Sequence, residues 1–225
     1  MLLEVIACSV TDAIEAERGG AGRLELVRDL GRGGLTPSYA LVQDVREAVA
    51  IPIRVMLREA DGYGVGGGPA GEELAAAAVR FAAFGVDGIV LGFLRSGQID
   101  VAVMDTVLAV AGPLSATFHH AFDQLQDPLA ALHELERWPR IDRVLTAGGP
   151  GDWTRKAIRL DQFRAAAAPG ITVLAGGGVD AEALKVLAAS SVVEAHVGRA
   201  ARVPPTVDGV VSSQRVAELV EAARR

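Results

Sequence analysis

Eight short apolar runs rich in β-branched residues recur along this chain, each followed by an alanine-rich amphipathic stretch, with no linker or low-complexity segment between them. The runs are Leu2 to Ala7, Arg23 to Val27, Ile53 to Leu57, Gly88 to Phe93, Ser115 to His119, Arg143 to Thr146, Ile171 to Ala175 and Val192 to Val197. Strands that alternate with helices pair in parallel, because a helical crossover returns the chain to the same end of the sheet. Eight such units close into a barrel. The expected fold is therefore α/β, a single (β/α)8 TIM barrel occupying residues 1–225 as one domain. A doubly wound open sheet competes, but the Gly-x-Gly-x-x-Gly turn expected after its first strand is missing.

Helix signals follow the strands. Thr11 or Asp12 is placed to cap Ala13 to Arg18, Thr36-Pro37 to open the second helix, Gly71-Glu72-Glu73 the third, Asp127-Pro128 the fifth and Asp180 the seventh. Half of the chain is hydrophobic, enough for a sizeable core, and the formal net charge of -6 opposes any electrostatic hold on nucleic acid. The single cysteine, Cys8, excludes an internal disulfide framework and suits a reducing compartment, so a cytoplasmic location is expected. Glu4 interrupts the N-terminal apolar run, and Arg80 and Asp87 break the stretch from Leu74 to Leu94, so neither reads as a signal peptide or a membrane span. Self-association into a homo-oligomer stays open.

Polar chemistry gathers at strand ends. In such barrels side chains alternate between the interior and the helix layer, and catalytic groups collect at the carboxyl ends of the strands. Glu4 and Glu25 sit inside otherwise apolar strands and are expected to point into the barrel, paired with Arg54, Arg58 or a histidine. In Ala116-Thr117-Phe118-His119-His120-Ala121-Phe122-Asp123 the parity of Thr117 turns His119 toward the mouth and His120 toward the helix layer. His196 shares the parity of Gly198 and also reaches the mouth, whereas His133 reads as a surface residue. An imidazole beside a carboxylate shuttles protons near neutral pH, so the candidate acid/base residues are Glu4, Glu25, Arg58, His119, Asp123 and His196. The same donors suit a metal, with Cys8, His119 and His196 as candidate ligands, although no His-x-x-x-His or Cys-x-x-Cys spacing is present.

Gly176-Gly177-Gly178 follows the seventh strand and Gly198-Arg199 the eighth, where barrel loops and a helix N-terminus commonly hold phosphate. These five residues are the candidate anion site, with a tight strand-to-helix turn as the simpler role of the glycines. The segment Gly62 to Gly71 lacks the strand before it and the Lys-Ser/Thr after it that a P-loop needs, and is read as a lid or plain loop.

Taken in order, these motifs resemble the copper homeostasis protein CutC family over nearly the full length. Ala16-Glu17-Arg18-Gly19-Gly20-Ala21, Arg23-Leu24-Glu25-Leu26, Gly33-Gly34-Leu35-Thr36-Pro37-Ser38, Val55-Met56-Leu57-Arg58, Phe118 to Asp123, Arg143 to Thr146 and the glycine triplet carry the resemblance. It implies a (β/α)8 barrel, copper binding or handling in the cytoplasm, and copper as the bound metal. The departures fall where copper would matter: Ile6 and Val27 stand where the family has cysteines, Cys8 where it often has Asp, His120 where its signature has Arg, and Glu59-Ala60 where Pro-Arg usually follows. Cu(I) prefers thiolate and thioether ligands, which near the mouth leaves Cys8 and Met56. Two function classes stay open: copper binding or trafficking, and an enzyme acting by acid/base chemistry on a small anionic or phosphorylated metabolite.

Overall fold

A computed structural model of the chain describes residues 1–65 and 70–224. Its eight main strands are β1 (Leu2–Ala7), β2 (Arg23–Leu26), β3 (Ile53–Met56), β4 (Gly88–Leu91), β5 (Ser115–Phe118), β6 (Ile141–Thr146), β7 (Thr172–Ala175) and β8 (Glu194–Val197). All are parallel, each pairs with its neighbour in sequence, and β8 closes on β1 with Glu4 alongside His196. The expected barrel is thus observed. The helices are α1 (Val10–Arg18), α2 (Tyr39–Ala48), α3 (Ala70–Ala83), α4 (Val101–Val110), α5 (Pro128–Leu135), α6 (Trp153–Ala166), α7 (Ala181–Ala188) and α8 (Ser213–Ala222).

Helix starts are set by side-chain oxygens that satisfy otherwise unpaired backbone N–H groups, each worth about 1 kcal/mol. Asp127 and Asp180 cap α5 and α7 as expected, and Asp100 and Asp152 do the same for α4 and α6. Two starts differ from the expectation. Ser9 caps α1 by accepting from Asp12 N–H, because the Asp12 carboxylate is drawn into a buried ion pair with Arg202. Ser38 caps α2, while the Thr36 hydroxyl is occupied by Arg58, accepting from its N–H and donating to its carbonyl. Two small antiparallel ribbons also escaped the reading, Leu94–Arg95 with Gln98–Ile99 and Arg202–Val203 with Val210–Val211.

The pleat sorts side chains into two cores. Outward residues such as Leu3, Val5, Leu24, Leu26, Val55, Ile89, Leu91 and Phe118 join one large cluster with Ala13, Ala16, Val42, Val45, Leu74 and Phe81 from the helices. Ile6, Val27, Met56 and Val90 form a second, small cluster with Cys8 and Leu30 packed on it. Below this upper apolar lining the barrel is filled with charge.

Candidate functional site

Three arginines and three carboxylates floor the barrel. In the register, Glu4 lies alongside Arg23 on β2 and His196 on β8. Arg23 donates to Glu4 and, at 2.6 Å, to Glu194; Arg143 grips Glu194 at 2.7 and 2.9 Å and reaches Asp142 at 2.5 Å. Arg54 closes the row with a two-pronged contact to Asp142 at 2.7 Å and a bond to the Thr117 hydroxyl at 2.8 Å. Glu4 and Glu25 do point inward as the parity required, but the arginine partner of Glu4 is Arg23, neither Arg54 nor Arg58. Arg54 is held by Asp142 instead, which reaches it from β6 across the barrel interior, with β4 and β5 between them.

His196 stands on this floor between two carboxylates, its Nδ1 2.8 Å from Glu4 and its Nε2 3.6 Å from Glu25. Burial works against its protonation, but the charge of Glu25 and the hydrogen bond and charge of Glu4 outweigh it and raise the imidazole above its ordinary value. For Glu4, burial alone would raise the carboxyl; Arg23, then the His196 hydrogen bond, hold it well below the usual carboxylate range. Glu25 has no such guanidinium contact. Burial, opposed by His196 and reinforced by the charge of Glu4, pushes it up to about 7, and its Oε1 has no hydrogen-bond partner. Glu25 and His196 therefore form a proton-sharing pair near neutral pH.

The opposite wall is built by the end of β5. His119 is 3% exposed, and its Nε2 is buried without a partner. Its Nδ1 accepts from Ala121 N–H at 3.3 Å, which leaves the proton on Nε2. Burial, then the neighbouring charges of His120 and Arg58, push this imidazole down to about 3. Gly92 is required beside it, since a Cβ there would come within 2.5 Å of His119 Nδ1.

His120 corrects an expectation: it lines the cavity and does not turn to the helix layer. Strand alternation stops at Phe118, and the turn over His120–Gln124 redirects the ring. Its Nδ1 lies 2.8 Å from Asp123 Oδ2, and Asp123 is itself held by the Thr146 hydroxyl and by Ala147 N–H at 3.0 Å. Burial raises the Asp123 carboxyl, but the His120 and Thr146 hydrogen bonds prevail and keep it ionised. Across from His120, a Cβ on Gly176 would meet its Nε2 at 3.3 Å and Leu145 at 2.5 Å, so this wall is kept bare by glycine.

These groups line one cavity of about 710 Å³ at the carboxyl ends of the strands, shared by Glu25, Met56, Arg58, Tyr63, His119, His120, Asp123, His196 and Gly198. Gly177, Gly178 and Arg199 line its rim; neither glycine amide enters a backbone hydrogen bond, and Arg199 is exposed. Arg58 spends its guanidinium on the carbonyls of Arg32, Gly33, Gly34 and Gly62 and lies over the Tyr63 ring, 5.6 Å from its centroid, and the Tyr63 ring centroid is 5.1 Å from that of His119. It organises the loops at the mouth. Glu4 lies beneath the cavity floor and does not line it. Of the segment Gly62 to Gly71, expected as a lid or plain loop, residues 66–69 lie outside the described residues.

The metal candidates do not converge. Cys8 packs against the apolar lining just past the end of β1, where Arg202 donates to its Sγ at 3.4 Å, and burial raises its thiol despite that cation. Among the described residues no three His, Cys, Asp or Glu side chains gather as a metal-holding group. A single protonated thiol and an imidazole whose Nε2 carries a proton do not fit Cu(I).

The CutC family model matches residues 1–201. The copper homeostasis protein cutC homolog of Mus musculus is 38% identical over 197 residues, covering 87% of this chain and 72% of that relative. A crystal structure from Streptococcus agalactiae assigned as the copper homeostasis protein CutC superposes with a TM-score of 0.80 at 26% identity, covering 88% of this chain and 98% of that one. Orotidine 5'-phosphate decarboxylase from Pyrococcus horikoshii, at 15% identity and a TM-score of 0.64 with both chains fully covered, shares the fold alone. Among the described residues no helix is long and apolar enough to cross a membrane. With the barrel, the ordered motifs and the relatives agreeing, this chain belongs to the CutC family.

Proposed function

We propose that the protein serves copper homeostasis, the role named for its relatives, as an enzyme-like barrel that binds a small anionic, phosphorylated metabolite in the cytoplasm and does acid/base chemistry on it. One observation carries this reading: two buried polar atoms, Glu25 Oε1 and His119 Nε2, lack any partner, and both residues line the same cavity. Buried polar groups are almost always satisfied, so two orphans on residues that line one cavity point to that cavity as the place of a ligand. The rim at Gly177, Gly178, Gly198 and Arg199 supplies free amides and a positive charge for the anionic end, whereas the Gly176 N–H is spent on the Thr146 carbonyl at 2.9 Å and takes no part. Glu25 and His196 hold a transferable proton below it.

Copper as a ligand of Cys8, His119 and His196 is the weaker reading, since no observation unites those three donors. Thermal shift and chelator competition test the two together. Millimolar phosphate at low ionic strength raises the melting temperature by linkage, and Arg199→Ala reduces that rise. A Cu(I)-loaded sample loses its metal to a competing chelator, and Cys8→Ser abolishes what binding there was. No phosphate response, together with one copper retained per chain, would reverse the proposal in favour of copper binding.

A further inference from the structure

We propose that the metabolite is an enolisable carbonyl compound, an aldehyde or ketone with an anionic tail, and that adjacent residues divide the enolisation: His119 holds the carbonyl oxygen and His120 removes the neighbouring C–H proton. This rests on the anion-binding reading above and names the substrate class of the same site.

The two imidazoles are prepared for opposite roles. Ala121 N–H occupies His119 Nδ1, so the ring presents Nε2–H, and that donor is buried and unpaired. A ring that stays neutral through the physiological range does not lose this donor to titration or turn into a competing acid. A fixed neutral N–H buried in the cavity wall strengthens as negative charge develops on an oxygen that meets it. His120 is arranged the other way around. Ionised Asp123, itself anchored by Thr146 and Ala147, holds the proton on His120 Nδ1 and leaves the Nε2 lone pair free, toward Gly176, on a ring that lines the cavity. This is a base oriented by a third group.

The step balances with these groups alone. The C–H bond breaks as His120 Nε2–H forms, the C–H electron pair becomes the C=C bond, and the carbonyl π pair moves to the oxygen that His119 Nε2–H holds. The imidazolium of His120 returns the proton to carbon, or exchanges it with solvent first. Where the substrate carries a hydroxyl beside its carbonyl, Glu25, which lines the same cavity and whose carboxyl burial pushes up to about 7, is placed to move a proton between the two oxygens of the resulting enediol. No oxidant or further reactant enters.

Two measurements on the full chain decide the matter. By calorimetry, phosphoglycolate, whose carboxylate imitates an enediolate beside a phosphate, binds at least tenfold tighter than inorganic phosphate, and that gain collapses in His119→Phe. By proton NMR in D2O, at least one member of a panel of three- to six-carbon aldose and ketose phosphates takes up deuterium beside its carbonyl. His120→Gln slows the uptake at least 100-fold. Asp123→Asn, which changes a positioning residue, slows it less and alters its pH profile. If phosphate binds but phosphoglycolate gains nothing, or no member of the panel exchanges, the enolisation is overturned and the anion site stands. If neither anion binds, both readings fall.

Discussion

Glu25→Gln should make this protein more stable in mild alkali and leave it nearly unchanged in mild acid. The Glu25 carboxyl is 2% exposed, has one oxygen without a partner, and titrates at about 7 against an ordinary 4.5. A carboxyl raised on folding keeps its proton longer in the folded than in the unfolded chain, so stability is lost as pH rises from about 4.5 to about 7 and the full loss persists above that window. At about 1.4 kcal/mol per pH unit the ceiling on that loss is about 3 kcal/mol. Glutamine keeps the shape and removes the ionisation. His196 modifies the outcome: its raised value adds stability below the ordinary histidine range that fades as pH rises through its folded value, and Glu25 is the first charge holding it up. The variant therefore shows a flatter stability profile on both counts.

The assay is a pair of melts or denaturant titrations at pH 5 and pH 8. For a chain of this size each kcal/mol moves the melting temperature by about 2–4 °C, so the variant melts above the parent by up to about 12 °C at pH 8 and within a few degrees of it at pH 5. Equal differences at the two pH values would refute the proton-sharing pair. A uniform loss of about 3–5 kcal/mol, the cost of breaking a buried ion pair, would make Glu25 a structural member of the floor.

Two further outcomes follow from the same geometry. His119 is depressed on folding, so its neutrality stabilises above the ordinary histidine range and that benefit is lost as pH falls toward 3; His119→Asn should remove about 2 kcal/mol of the destabilisation between pH 6.5 and pH 5, read as a shallower acid limb in melts. Arg23→Met leaves Glu4 buried without its guanidinium, and should lower stability by about 3–5 kcal/mol at neutral pH, checked by denaturant titration, with Glu194 still held by Arg143.

How much of this the sequence disclosed depends on which part of the backbone carries each residue. Glu4, Glu25, His119 and His196 were legible because a strand alternates strictly, so a polar residue on the inward parity of an apolar run must enter the barrel. The partner of Glu4 was not, because pairing depends on register: Glu4 meets Arg23 and His196 only after β1 is set beside β2 and β8, and no local pattern states that offset. His120 was misplaced for a different reason. The parity rule holds one residue past Phe118, since His119 is still extended, but fails at the second, where the turn over His120–Gln124 has its own geometry. The Asp123 carboxylate three residues on was the available signal, since a turn brings residues i and i+3 together as a strand does not. The lower cavity, made by strands, is thus written in alternation, whereas the upper cavity is written in turns. The His120 imidazole lies in the upper part, held to Asp123 and facing bare glycine, so chemistry that alternation does not disclose is to be sought where strand parity ceases to apply.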